Sequence, residues 1–237
     1  MIAAPAVDLR EGRCVQLVGG RPEEERVSLP DPLAQAREWE ETGFGTLHVV
    51  DLDAALSLGD NRGIIREIVK TTGATVQAGG GVREDSAVEG LLASGVSRVI
   101  VGTRAIQDRK WLEAAANRYS GRIMVAADIR DGDVLLKGWT ESTDLPVLEV
   151  LQELETFPLA GILCTDVGRE GRMGGTDLSM AEAVVQGTRH PVWISGGITT
   201  MDELRALDEA GAAGAVLGMA IYTGVLLPEE VAEEFGR

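Results

Sequence analysis

The sequence predicts an α/β protein, a (βα)8 barrel built from two similar half-barrels and running as one domain over residues 1–237. Three observations carry this expectation. Short β-rich runs alternate with amphipathic helical stretches eight times, a pattern that implies a parallel sheet closed on itself. The length of 237 residues lies near the roughly 250 typical of such barrels. The chain also matches itself. Asp8-Leu9-Arg10-Glu11-Gly12-Arg13 resembles Asp128-Ile129-Arg130-Asp131-Gly132-Asp133 at an offset of 120 residues. Gly80-Gly81-Val82 resembles Gly196-Gly197-Ile198, and Val101-Gly102 resembles Leu217-Gly218, both at an offset of 116. An internal repeat of this length reads as two four-stranded halves related by a pseudo-twofold axis.

The expected barrel strands are Ile2–Val7, Thr46–Val50, Thr75–Ala78, Val99–Val101, Ile123–Ala127, Gly161–Thr165, Val192–Ser195 and Ala215–Leu217. They define barrel units one to eight. Helical patterns follow at Pro32–Thr42, Arg62–Lys70, Ser86–Ser94, Asp202–Glu209 and Pro228–Phe235. In Asp202–Glu209 the apolar Leu204 and Leu207 share one face, while Asp202, Glu203, Asp208 and Glu209 are solvated. Gly43, Gly73, Gly95 and Gly211 stand where helices end and a left-handed residue is wanted. The connections after units five and six are long, which is common for lids at the active face of a barrel.

Composition narrows the function. Apolar residues make up 44% and charged ones 25%, as in an ordinary globular protein, and only 4% are aromatic, so the core must be Ala, Val, Leu and Ile. The net charge of −16 makes nucleic acid and anionic membrane poor partners. Any anion must be held by local backbone N–H groups rather than by the overall field. Cys14 and Cys164 follow no metal or redox spacing, and no His, Cys, Asp and Glu cluster has metal-ligand spacing. No secretory signal and no run of roughly 18 apolar residues is visible. The expectation is a reduced, cytoplasmic monomer that uses neither metal nor cofactor. His48 reads as a packed core residue and His190 as a surface one.

Four glycine-bearing strand ends stand out: Gly79-Gly80-Gly81, Gly102-Thr103, Ser195-Gly196-Gly197 and Gly218. Glycine lets the backbone approach an anion and aim consecutive N–H groups at its oxygens. Units three and four supply one cradle and units seven and eight a second, which calls for a small substrate phosphorylated at both ends. Asp8 and Asp128 are expected to close their strands on opposite sides of the mouth, where two carboxylates can act as base and acid on one substrate. Either aspartate alone reads more readily as a cap. Placed as a repeat-related pair between two cradles, they read as catalytic. Thr165 and Asp166 end unit six, and strand alternation lets only one of them face inward. Trp139, in the connection after unit five, is suited to stacking on a flat heterocycle or to anchoring its loop.

These motifs resemble, over essentially the whole chain, the family of ProFAR isomerases of histidine biosynthesis. Ala6-Val7-Asp8-Leu9-Arg10-Glu11-Gly12, Val50-Asp51-Leu52-Asp53, Gly79-Gly80-Gly81-Val82-Arg83, Val101-Gly102-Thr103, Ala127-Asp128-Ile129-Arg130-Asp131-Gly132, Lys137-Gly138-Trp139, Thr165-Asp166 and Ser195-Gly196-Gly197-Ile198 carry it. The resemblance implies an Amadori rearrangement of an aminoaldose to an aminoketose, on a substrate with two ribose phosphates and an imidazole carboxamide. It implies Asp8 as general base, Asp128 as general acid and Thr165 as an assisting hydroxyl. Substrate contacts are implied for Gly80, Gly81, Arg83, Gly102, Thr103, Trp139, Gly171, Ser195, Gly196, Gly197 and Gly218.

Three positions depart from the family pattern. Arg169-Glu170-Gly171 replaces an Arg-Asp-Gly, Gly175-Thr176-Asp177 replaces a Gly-Pro-Asn, and Met219 stands where relatives often carry a basic residue. The first two bear on lid closure and the third on positive charge at the second cradle. A dual-substrate relative that also isomerises phosphoribosyl anthranilate ranks second, because Lys137 stands where those enzymes often carry Arg and cannot make the same planar two-pronged pairing. The cyclase of the same pathway is disfavoured by Ile198 after Ser195-Gly196-Gly197. A catalytically inactive phosphate-binding barrel is disfavoured by the presence of both Asp8 and Asp128. The repeat itself makes a prediction: a crystal grown in phosphate or sulfate should hold two anions, one near Gly81 and Thr103 and the other near Gly197 and Gly218. An anion at only one of them, even at high concentration, would point to a substrate with a single phosphate.

Overall fold

A closed ring of eight parallel strands forms the centre of the protein. The computed structural model describes residues 1–139 and 141–237. Its strands are β1 (Ile2–Arg10), β2 (Arg13–Val18), β3 (Arg21–Leu29), β4 (Thr46–Asp51), β5 (Thr75–Gly79), β6 (Arg98–Val101), β7 (Ile123–Arg130), β8 (Asp133–Leu136), β9 (Glu141–Pro146), β10 (Gly161–Asp166), β11 (Val192–Ser195) and β12 (Gly214–Leu217). The ring runs β1-β4-β5-β6-β7-β10-β11-β12 and closes where β12 pairs with β1. Helices cover its outer face, so the fold is the (βα)8 barrel that the alternation implied. Among the described residues, no helix is long and apolar enough to cross a membrane.

The four remaining strands correct the sequence reading. β1 and β7 do not stop at Val7 and Ala127; both run three residues further and turn back as antiparallel hairpins, β1-β2-β3 and β7-β8-β9. The turns are Glu11-Gly12 (φ 50° and 76°) and Asp131-Gly132 (φ 53° and 89°). Two consecutive positive φ values are what a two-residue type I′ hairpin turn demands. The acidic residue–Gly dipeptide between apolar runs was the available signal. What had seemed a long lid after unit five is therefore largely sheet. Asp8 and Asp128 lie inside their strands, not at the ends.

Two apolar compartments hold the molecule together. The larger lies between strands and helices, with Leu9, Leu47, Ile65, Ile68, Leu112, Ile123, Leu151 and Leu154 almost wholly buried. The smaller fills the barrel interior with Ala4, Ala6, Ile100, Met124, Leu163, Trp193 and Val216. Small residues on neighbouring strands let Trp193 lie across this interior, where a Cβ on Gly214 would stand only 2.6 Å from its ring atom Cζ3. The Arg98 guanidinium stacks 4.8 Å from the Trp193 ring centroid. His48 is a packed interior residue, as expected, with Nδ1 3.1 Å from Gln77 Nε2. His190 is half-buried rather than superficial, because its ring nitrogen Nε2 reaches Leu154 O at 2.9 Å. Gly43, Gly95 and Gly211 have the expected positive φ. Gly73 does not, since Thr72 leaves its helix in an extended conformation.

A buried polar network fixes the first hairpin. The Asn61 amide donates to Asp51 Oδ1 (2.8 Å) and Asp53 Oδ2 (3.0 Å). Asp53 Oδ2 also accepts from Glu11 N at 2.7 Å. The Asp51-Leu52-Asp53 motif thus holds the root of the hairpin that carries Asp8.

The pseudo-twofold axis is visible in the glycines. Gly80 and Gly196 have φ of +100° and +101°. A Cβ on Gly80 would overlap the Asp51 carbonyl oxygen, and one on Gly196 would lie 2.5 Å from that of Asp166. Gly80→Ala and Gly196→Ala should each lose about 1–3 kcal/mol or more of stability, from left-handed strain combined with backbone collision. Urea unfolding measures this, and a loss below half a kcal/mol at either position would mean that the strand end is not held as described.

Candidate active site

Strand alternation builds the site. On β1 the residues Ala4 and Ala6 face the interior, so Asp8 faces it too, one layer higher. Parallel register sets Thr165 beside Asp128 and Ser195 beside Thr165, so these three side chains form one inward row across β7, β10 and β11. This settles the Thr165–Asp166 question: Thr165 faces inward and hydrogen-bonds to the Asp128 carboxylate. Asp166 faces away and lies 3.4 Å from Arg169 Nε.

Three carboxyls share this mouth. Loss of hydration pushes Asp8 up to about 7, with a smaller contribution from the negative charge of Glu170. Burial likewise raises Asp128, opposed by hydrogen bonds from Trp139 and Thr165 that favour its anion. Glu170 is pushed up to about 7, first by burial and then by the charge of Asp128, against a hydrogen bond from Ser195. Glu170 had registered only as a departure in a lid. Its place among the catalytic candidates follows from how its loop folds inward, which no local pattern signals.

Gln16 was also missed. It is almost fully buried on β2, and its Nε2 donates to Asp8 Oδ2 at 3.3 Å. Its Oε1 lies against Gly218, where any Cβ would collide with it. The signal was a single amide in an apolar run just past a hairpin turn.

Three connections meet above the mouth. Gly19 N, in the β2–β3 turn, donates to Glu170 O at 3.1 Å. Gly171 packs so closely that a Cβ would stand 2.5 Å from Leu17 O. The Trp139 ring lies flush against Gly20 while its side chain hydrogen-bonds to Asp128.

The two cradles differ in detail. Gly171, Gly196, Gly197, Gly218 and Met219 line a small open cleft together with Glu170 and Met173. Met219 is buried, so no charge reaches the cleft from that position. In the first half, Gly81 packs beside Ala54 O, and Gly102 (φ −95°, ψ −107°) takes nearly the same conformation as Gly218 (φ −110°, ψ −115°). The Thr103 hydroxyl accepts from Lys137 N at 2.8 Å. Arg83 turns to Ala55 O (2.8 Å) and Ser57 Oγ (3.0 Å), capping a short helix beside the glycines.

Comparison with known proteins agrees with this geometry. Residues 2–226 match the family described as histidine biosynthesis protein. The chain belongs to that family. Among its members, a protein of Gemmatimonas aurantiaca is 52% identical over 236 residues, covering the whole of both chains. One from Myxococcus xanthus is 49% identical over 236 residues, covering 99% of each. One from Methanothrix thermoacetophila is 44% identical over 231 residues, covering 97% of this chain and 96% of its own. All three are named 1-(5-phosphoribosyl)-5-((5-phosphoribosylamino)methylideneamino) imidazole-4-carboxamide isomerase. The family is thus shared across the full barrel, hairpins included.

The raised Asp8 group has a consequence for stability. Below its ordinary value of 3.8 it is protonated folded or unfolded, and burial of its charge costs nothing. As pH rises from 3.8 to about 7, the unfolded chain releases the proton while the fold retains it, so stability falls across that window. Asp8→Asn should therefore match the native protein in Tm near pH 4 and exceed it at pH 8. Thermal unfolding at the two pH values checks this; an equal Tm difference at both would mean that the Asp8 charge is not buried.

Proposed function

We propose that this chain is an isomerase that converts the aminoaldose ProFAR to its aminoketose by an Amadori rearrangement, using acid–base chemistry without metal or cofactor. The observation that carries the reading is the placement of Asp8 and Asp128 on opposite half-barrels, each facing the interior between the two glycine cradles. The names of the full-length relatives support the substrate, which has a phosphoribosyl group at each end. Gly80, Gly81, Gly102, Thr103 and Arg83 would take one phosphate. Gly171, Ser195, Gly196, Gly197 and Gly218 would enclose the other. The working unit is a cytoplasmic monomer whose partner is this small bisphosphorylated molecule.

The reaction follows from the groups present. Asp128 gives a proton to the furanose ring oxygen, and the C1–O bond breaks to leave a Schiff base. Asp8 removes the C2 proton, and the electron pair of that bond moves to give an enolamine. Tautomerisation then gives the ketone. A base near neutrality suits this task, and the position of Asp8 near 7 provides one. Thr165 holds the Asp128 carboxyl by a hydrogen bond. Trp139 also bonds to Asp128 in the free protein, which favours the anion. Stacking of Trp139 on the imidazole would remove that donor and let Asp128 hold more readily the proton it must deliver.

Asp8→Asn and Asp128→Asn should each fold normally, retain substrate binding and lose turnover by at least about a hundredfold, the usual scale of general acid–base catalysis. An absorbance assay with ProFAR measures this; near-full activity of Asp8→Asn would overturn the assignment of the base. The kcat/KM profile should be bell-shaped, falling at high pH as Asp128 loses its proton and rising at lower pH along a limb set by Asp8, which ionises at about 7. Glu170→Gln removes the neighbouring charge, so this limb should move to lower pH. A limb that stays in place or moves upward would show that Asp8 is not the titrating base.

A further inference from the structure

The loop after β10 is fastened at its far end by a carboxylate from another unit. Glu203 sits in the first turn of the helix Met201–Glu209, where it completes a capping box with Thr200. An ordinary box uses one such carboxylate to satisfy the N-cap N–H. Here Oε2 accepts from Thr199 N (2.8 Å) and Thr200 N (3.0 Å), and from both threonine hydroxyls. Oε1 reaches across to Thr176 N at 2.8 Å. These bonds hold Glu203 below the usual carboxylate range despite partial burial.

The Gly175–Thr176 peptide that it grips lies against the second cradle. Gly175 has φ +86°, and its carbonyl accepts from Arg169 Nη1 at 3.0 Å. A Cβ on Gly197 would stand 2.5 Å from that same carbonyl. The loop that ends at Gly175 carries Glu170 into the mouth and sets Gly171 against the β2 strand. The first half-barrel solves the same problem differently. There Gly81 packs against Ala54 O, and Ala54 is held by Asp51, the strand-end carboxylate, within a short helix. The repeat counterpart of Glu203 is Ala87, which has no carboxylate. Thr176 makes this contact through its N–H, which a proline in its place would lack.

We propose that Glu203 is a positioning residue that couples the second cradle to the loop carrying Glu170, so that anion binding at Gly197 and closure of that loop occur together. The proposal builds on the isomerase reading for its kinetic consequences but not for its structural ones. Trypsin at Arg172, an exposed site in this loop, reports closure directly. Inorganic phosphate should protect Arg172 in the native protein. Glu203→Ala should be cut about tenfold faster and lose that protection, the scale of one charge-assisted hydrogen bond. Thr176→Pro removes the loop-side donor and leaves the residues of the helix cap unchanged. It should reproduce the faster cleavage with Tm near the native value, and it decides the matter if Glu203→Ala fails to fold. With ProFAR, both variants should raise KM about tenfold while kcat changes little, since the loop acts on binding. Glu203→Ala that lowers Tm but leaves cleavage and phosphate protection unchanged would show a mere helix cap and overturn the proposal, as would a native protein that phosphate does not protect. A native protein that phosphate protects but that does not turn over ProFAR would overturn the isomerase reading and leave the coupling standing.

Discussion

The pairing of β7 with β10 is the constraint on which the site depends. The register that pairs Thr165 with Asp128 decides which side of each strand faces inward. A shift of that pairing by one residue would turn either Asp128 or Thr165 toward the helices and bring Ile129 or Cys164 into the mouth in its place. Pairing of Leu163 with Trp193 and of Trp193 with Gly214 extends the same register around the ring. The large indole fits only because its neighbour is glycine. Core packing and catalytic geometry are thus one decision, made by backbone hydrogen bonds and checked by side-chain volume.

The barrel itself was legible because most of its strands are short, apolar and bounded by glycine, and because the repeat at offsets of 116 and 120 counted the units independently. Asp8 and Asp128 stood out as a repeat-related pair at an offset of 120, whereas Thr165 and Asp166 stayed open until the register turned Thr165 inward. The hairpins were not, although Glu11-Gly12 and Asp131-Gly132 marked them, because a β-rich run that continues past the barrel rim looks the same as one that stops. Glu170 and Gln16 were hidden for a different reason. Glu170 enters the mouth on a loop whose path is set by a contact far away in sequence, Gly19 N on Glu170 O, and Gln16 enters on a hairpin strand, its amide reaching back across the hairpin to Asp8. No periodicity encodes such contacts.

The two halves share backbone conformation more closely than side chains. Gly80 and Gly196 agree within a degree in φ, and Gly102 and Gly218 adopt the same unusual backbone. Around them, the first half carries Arg83 and Arg104, and the equivalent positions in the second are Thr199 and Ala220. A cradle made from N–H groups tolerates this divergence, because it depends on chain path and on the absence of Cβ atoms rather than on any particular residue beside it.

The crowding of Asp8, Asp128 and Glu170 has a further consequence for thermodynamics. On the proposed reading, Asp8 and Glu170, both pushed up to about 7, would sit beside the bound bisphosphate. Each added negative charge raises their proton affinity further. Ligand binding and proton uptake are then linked equilibria, so the heat of association includes the ionisation heat of the buffer that donates the protons. Affinity also varies with pH through the protein's own carboxyls, even in the range where phosphate itself no longer titrates.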